Sequence, residues 1–112
     1  MTDWMVMPSP PDGFDTRIAY RSAADAGDAF ASALATALSG GGQRPSVRVD
    51  AYRQSDDLAL LIVTEEGLGD DSVAGTQYAL DFVHEPDGWV LYQTWMRTLC
   101  RRGVDAASNL CV

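Results

Sequence analysis

Few residues in this chain could carry chemistry, and each can be weighed by type and spacing. His84 is the single histidine, so a Ser-His-Asp arrangement or a His-ligated metal would have to use it. It falls beside a Pro86-Asp87-Gly88 turn, where side chains are mobile and wet, and reads as a solvated turn histidine. Zinc through His84, Cys100 and Cys111 lacks any C-x-x-C or H-x-x-x-H spacing, so no metal site is expected. Asp70 and Asp71, with Glu65 and Glu66 close by, could gather oxygen ligands for calcium. The EF-hand pattern is absent, however, and a turn-forming acidic loop fits these residues better. Asp81 is the acid best placed in mid-strand to act as a carboxylate base, but alternation sets it opposite Tyr78, Leu80 and Phe82, as an outward polar residue. Gly40-Gly41-Gly42 follows a helix instead of opening one, and no Gly-Lys-Ser/Thr comes after it. It reads as a helix stop and not as a phosphate loop. No cofactor follows from any of these residues.

The aromatic residues Trp89, Tyr92 and Trp95, with Met96, give the sharper signal. Plain alternation puts residues 89 and 95 on one face of a strand and residues 92 and 96 on the other. A single helix covers only one face of a sheet. The other is then left for a ligand, a protein partner, a second copy or the apolar arm around Trp4. Gly67 to Gly75 is a long irregular connection, and such loops often carry function. Trp89, Tyr92, Trp95, Met96, Asp70 and Asp71 are therefore the candidate binding residues.

The elements that must position them follow from periodicity. Thr76 to Cys100 reads as a long antiparallel hairpin: an alternating arm, the Pro86-Asp87-Gly88 turn and an aromatic-rich return arm. Ser22 with Asp25 has the S-x-x-D form of a capping box. Phe30, Leu34 and Leu38, with Ala33 and Ala37 beside them, form one apolar stripe on the helix that should begin there. Gly27 lowers the propensity of that helix unless close backbone approach requires it. Ser46 to Arg53 alternates, with Val47, Val49 and Ala51 inward and Arg48, Asp50 and Tyr52 outward. Leu58 to Thr64 is continuously apolar and predicts a central strand with both faces covered. Together these predict an α+β fold, one N-terminal helix packed on a curled four-stranded antiparallel meander. Residues 1–14, rich in proline, form an extended arm, and residues 15–112 a single domain.

Length and charge narrow the function classes. A chain of 112 residues builds one core. Its longest apolar run, Leu58 to Val63, is too short to cross a bilayer. Eight arginines and no lysine stand against 16 acids, a net charge of −8. That field repels phosphate backbones and anionic lipid surfaces, so neither nucleic acid nor a membrane surface is an expected partner. Cys100 and Cys111 bracket the last segment, and a bridge between them would pin the tail to the end of the return strand. The bridge is the expected state and implies an extracytoplasmic mature form whose signal has been removed. A reduced cytoplasmic pair is the alternative.

A helix followed by four strands resembles the cystatin-like and NTF2-like group of folds. The carboxyl-terminal half, roughly residues 58–112, resembles small secreted actinobacterial proteins of that shape. The likeness is carried by Asp70-Asp71-Ser72-Val73-Ala74-Gly75 before a strand, Gly88-Trp89 opening the last strand, Cys100-Arg101-Arg102-Gly103 closing it, and Cys111-Val112. The resemblance implies a cone-shaped sheet, a tail disulfide and export. NTF2-like enzymes carry more helix before the sheet than this chain does, which weighs against an enclosed substrate pocket. The expectation is a non-enzymatic, exported binding domain that recognises a protein or small ligand over its sheet. The alternatives are a small NTF2-like enzyme with a pocket carboxylate and an acidic inhibitor or immunity-type protein.

Overall fold

The helix begins where a hydroxyl can accept an orphan amide. In the computed structural model, which describes residues 1–7, 9–39, 45–67 and 72–112 and the backbone alone at residues 51 and 52, α1 runs from Ala23 to Leu38. Ser22 is its N-cap, and its Oγ accepts the Asp25 amide at 3.0 Å. At the other end the Ser39 amide turns back to the Thr36 carbonyl. The expected glycine stop, Gly40-Gly41-Gly42, lies outside the described residues. Ala23, Ala26, Phe30, Ala33 and Leu34 are buried and Leu38 half-buried, while Ala37 is exposed. The stripe therefore extends toward the amino-terminal end of the helix. Gly27 lies at a close approach: a Cβ there would collide with Cδ2 of the buried Leu61, which would have to repack.

The main sheet has five strands, in the order β1-β5-β4-β3-β2: β1 Met5–Val6, β2 Ser46–Gln54, β3 Leu58–Glu66, β4 Val73–Glu85 and β5 Gly88–Cys100. All pairings are antiparallel. The four expected strands form the meander, and the fifth is supplied by the arm. Met5 and Val6 pair with Met96 and Trp95. The amides of Thr2 and Met7 donate to the carbonyls of Thr98 and Thr94, both at 2.9 Å. An apolar segment beside an open row of backbone donors and acceptors is driven to pair with it. Further along the same edge, Tyr20 and Trp89 exchange two 2.8 Å backbone hydrogen bonds. A Cβ on Gly88, whose φ is +137°, would strike the Tyr20 carbonyl. The free edge of the sheet is β2, where charged Arg48, Asp50 and Arg53 discourage strand addition.

Three register shifts break the alternation. Val49 and Ala51 face Val63 and Ile62, so Asp50 is an extra residue in β2. Ala51 therefore takes the opposite register to Val49, against the expectation that Val47, Val49 and Ala51 share a face. Ala74 is extra in β4, and Tyr92 is extra in β5, where Asp81 and Phe82 face Gln93 and Leu91.

The core lies between α1 and one face of the sheet. Ala59, Leu61 and Val63 of β3 face Phe82, Leu80 and Tyr78 of β4, and all six are buried. Phe14 joins them edge-on to Phe30 at 5.4 Å, and Phe30 meets Tyr78 at 5.8 Å. Fully burying a side chain such as Phe30 or Leu61 is worth about 1.5–3 kcal/mol.

Cys100 and Cys111 are bonded, 11 residues apart in sequence. The bridge fastens a two-stranded hairpin, β6 Val104–Asp105 and β7 Leu110–Cys111, to the end of β5. Asn109, at φ +57°, closes the turn, and its Oδ1 accepts the Asp3 amide at 2.8 Å, tying tail to arm. A bonded pair is the state that an oxidising compartment favours. No helix among the described residues is long and apolar enough to cross a membrane.

Candidate functional site

The face of the sheet turned away from α1 is where the open chemistry lies. Its residues follow from register: Leu58, Leu60, Ile62 and Thr64 of β3 stand opposite Val83, Asp81, Ala79 and Gln77 of β4. Asp81, Ala79 and Gln77 in turn stand opposite Gln93, Trp95 and Arg97 of β5. Leu58 to Thr64 was expected to be covered on both faces. On the face away from α1 that holds only at Thr64, which is buried, while Leu60 and Ile62 are half-buried and Leu58 is 59% exposed.

The bulge at Tyr92 redistributes the aromatic candidates. Before it, Trp89 and Leu91 point to the helix side with His84 and Phe82. After it, Thr94 and Met96 do so with Leu80 and Tyr78. Trp89 and Trp95 thus lie on opposite faces, and Trp89 and Met96 share one, the reverse of the plain alternation. Trp89 is core, 5% exposed and stacked on His84 at 4.5 Å. Met96 packs against the same core. Trp95 is half-buried on the open face, and Tyr92 projects from the bulge, 77% exposed. Asp70 and Asp71 lie outside the described residues.

Two regions divide the open face. Toward β1, a polar chain crosses the strands. Arg48 Nε donates to Asp50 at 2.7 Å, the Thr64 hydroxyl donates to Asp50, Gln77 Nε2 donates to Thr64 Oγ1 at 3.1 Å, and Arg97 Nε donates to Gln77 Oε1 at 2.9 Å. Arg97 then covers the Trp4 ring, 4.3 Å from its centroid. The Thr64 hydroxyl, reinforced by Arg48, holds the Asp50 carboxyl below the usual range. Glu66 at 3.3 Å, with Asp50, pushes the Arg48 guanidinium up. The arm thus occupies part of the face that the helix leaves bare.

Toward the turns, an open groove of about 560 Å3 remains. It is lined by Leu58, Leu60 and Val83, with Tyr92 and Arg53 beside them. The Asp81 carboxylate also lines it and accepts the Trp95 indole N–H at 3.1 Å. Among the described residues lining it, no histidine, cysteine or second acid accompanies Asp81. Leu58, Leu60, Val83 and Arg53 were not among the candidates from sequence. Their signal was present: apolar residues at the even positions of β3 cannot also be covered by the one helix. His84 stands at the turn end, its Nδ1 3.1 Å from the Asp56 carbonyl, at the opposite end of the β4–β5 hairpin from the bonded Cys100.

No protein-family model matches the chain, and no curated protein or solved structure matches it either.

Proposed function

We propose that this chain is a non-enzymatic binding module that recognises a partner through the open face of its sheet. The observation that carries the reading is the groove between Leu58, Leu60, Val83 and Tyr92 at the turn end of the sheet, which leaves Leu58 and Tyr92 exposed to water while the helix side is filled. A catalytic reading built on Asp81 has less support, because the carboxylate is engaged by the Trp95 indole and no histidine, cysteine or second acid lines the groove with it among the described residues. The order of one helix and four meander strands supports placing the domain among cystatin-like and NTF2-like folds. The bonded cysteines support export.

The test is a titration of isotope-labelled protein with a neutral, uncharged apolar peptide, followed by amide shifts. Shifts centred on Leu58, Leu60, Val83 and Tyr92, and lost in a Leu58→Ser, Tyr92→Ala double variant, are expected. Shifts without a centre, or gathered on the α1 side, would overturn the reading.

A further inference from the structure

The two turns at one end of the sheet are knitted together by backbone contacts. The His84 amide donates to the Asp57 carbonyl at 2.8 Å, and His84 Nδ1 meets the Asp56 carbonyl at 3.1 Å. This brings the β2–β3 turn, with Asp56 and Asp57, beside the β4–β5 turn, with Glu85 and Asp87, and all four side chains are exposed. The groove opens directly onto this end, since Leu58 follows Asp57 and pairs with Val83, one residue from His84. Asp81 adds a carboxylate inside the groove, against the one arginine that lines it, Arg53. None of these five acids takes part in an ion pair among the described residues, whereas Asp15, Asp50 and Glu66 each hold an arginine.

Acidic turns alone are usually just solvated. Here they rim an apolar groove, and the combination selects one chemistry. We propose, building on the binding-module reading, that the groove's partner is a cationic amphipathic segment of another protein. Its apolar side chain seats between Leu58, Val83 and Tyr92, and its flanking lysine or arginine side chains lie against Asp56, Asp57, Glu85 and Asp87. Apolar burial supplies the seat and charge complementarity sets orientation and rejects acidic competitors. A net charge of −8 steers such a segment from a distance.

The experiment compares three peptides that share one apolar core and differ in flanks of lysine, glutamine or glutamate, each titrated into the isotope-labelled protein at low and high salt. The lysine peptide is expected to bind at least about tenfold more tightly than the glutamate peptide at low salt, with the gap closing as salt screens the rim. Its shifts should include Leu58 and Tyr92. The Asp56→Arg, Glu85→Arg variant, which leaves two acids and two arginines at the turns, should abolish the preference. Its fold is expected to hold, because the turns are joined through the backbone of Asp56 and Asp57 and not through their carboxylates. Equal binding of all three peptides in the groove overturns the cationic partner and leaves the binding module standing. Lysine-peptide shifts confined to the turns overturn the groove seat, and no shifts with any peptide overturn both readings.

Discussion

The guanidinium of Arg97 lies 4.3 Å from the centroid of the Trp4 ring and donates to Gln77 Oε1 at 2.9 Å, so one side chain links the amino-terminal arm to the polar chain that crosses the sheet. The arm is also held by a two-residue strand, by backbone bonds, by the Thr2 hydroxyl, which accepts the Thr98 amide at 2.7 Å, and by Asn109, which accepts the Asp3 amide. Replacing Arg97 with alanine removes the cation–π contact and the bond to Gln77, a loss of about 1 kcal/mol. Hydrogen exchange at the Thr2 and Met7 amides should rise severalfold while exchange in β3 is unchanged. Unaltered exchange at Met7 would show that Arg97 does not hold the arm.

Thr64 is expected to govern the pH response of the open face. Its hydroxyl, with Arg48, depresses the Asp50 carboxyl in the folded chain. A depressed folded value stabilises the protein above the ordinary carboxylate range, and that contribution is lost as pH falls through the lowered value. Thr64→Val removes the first cause, so the Asp50 titration should move up and stability should depend less on pH across the acid range. Carboxyl-carbon NMR titration together with denaturation at several acidic pH values reads both. An Asp50 titration that does not move would exclude Thr64 as the cause.

The two aromatic residues nearest the β5 bulge should behave in opposite ways. Trp89 is buried and stacked on His84, and Trp89→Ala should cost about 3–5 kcal/mol. Tyr92 is exposed on the extra residue of the bulge, and Tyr92→Ala should change stability by no more than about 0.5 kcal/mol. Urea denaturation of both variants checks the contrast. Similar losses would mean that the bulge does not separate the two.

The tail bridge should matter chiefly through the unfolded chain. Replacing Cys100 and Cys111 together with serine opens an 11-residue connection, at a cost of about 2–3 kcal/mol on the chain-entropy account. The exposed hairpin beyond it should loosen first, because among the described residues its hydrogen bond to the arm is the one from the Asp3 amide to Asn109. Alkylation of the native, unreduced protein should add no mass. Two added groups would show that the thiols are free.

Local patterns were legible wherever a side chain answers only to its neighbours in sequence. Ser22 and Asp25 announced the helix start, the Phe30 and Leu34 spacing its buried stripe, and Pro86-Asp87-Gly88 the hairpin, because capping, amphipathic period and turn φ are set over a few residues. The cysteine bridge was the expected state from its place at the two ends of the tail, with a reduced pair as the alternative, and the pair is bonded. Tertiary structure decided which face each strand residue takes. An extra residue at Asp50 or Tyr92 leaves composition and spacing unchanged yet inverts every side chain beyond it, and only pairing with the neighbouring strand reveals the slip. It also decided that the arm would seal the β5 edge, and that the two acidic turns would meet beside Leu58. Both depend on contacts between residues far apart in the chain, which no local pattern encodes.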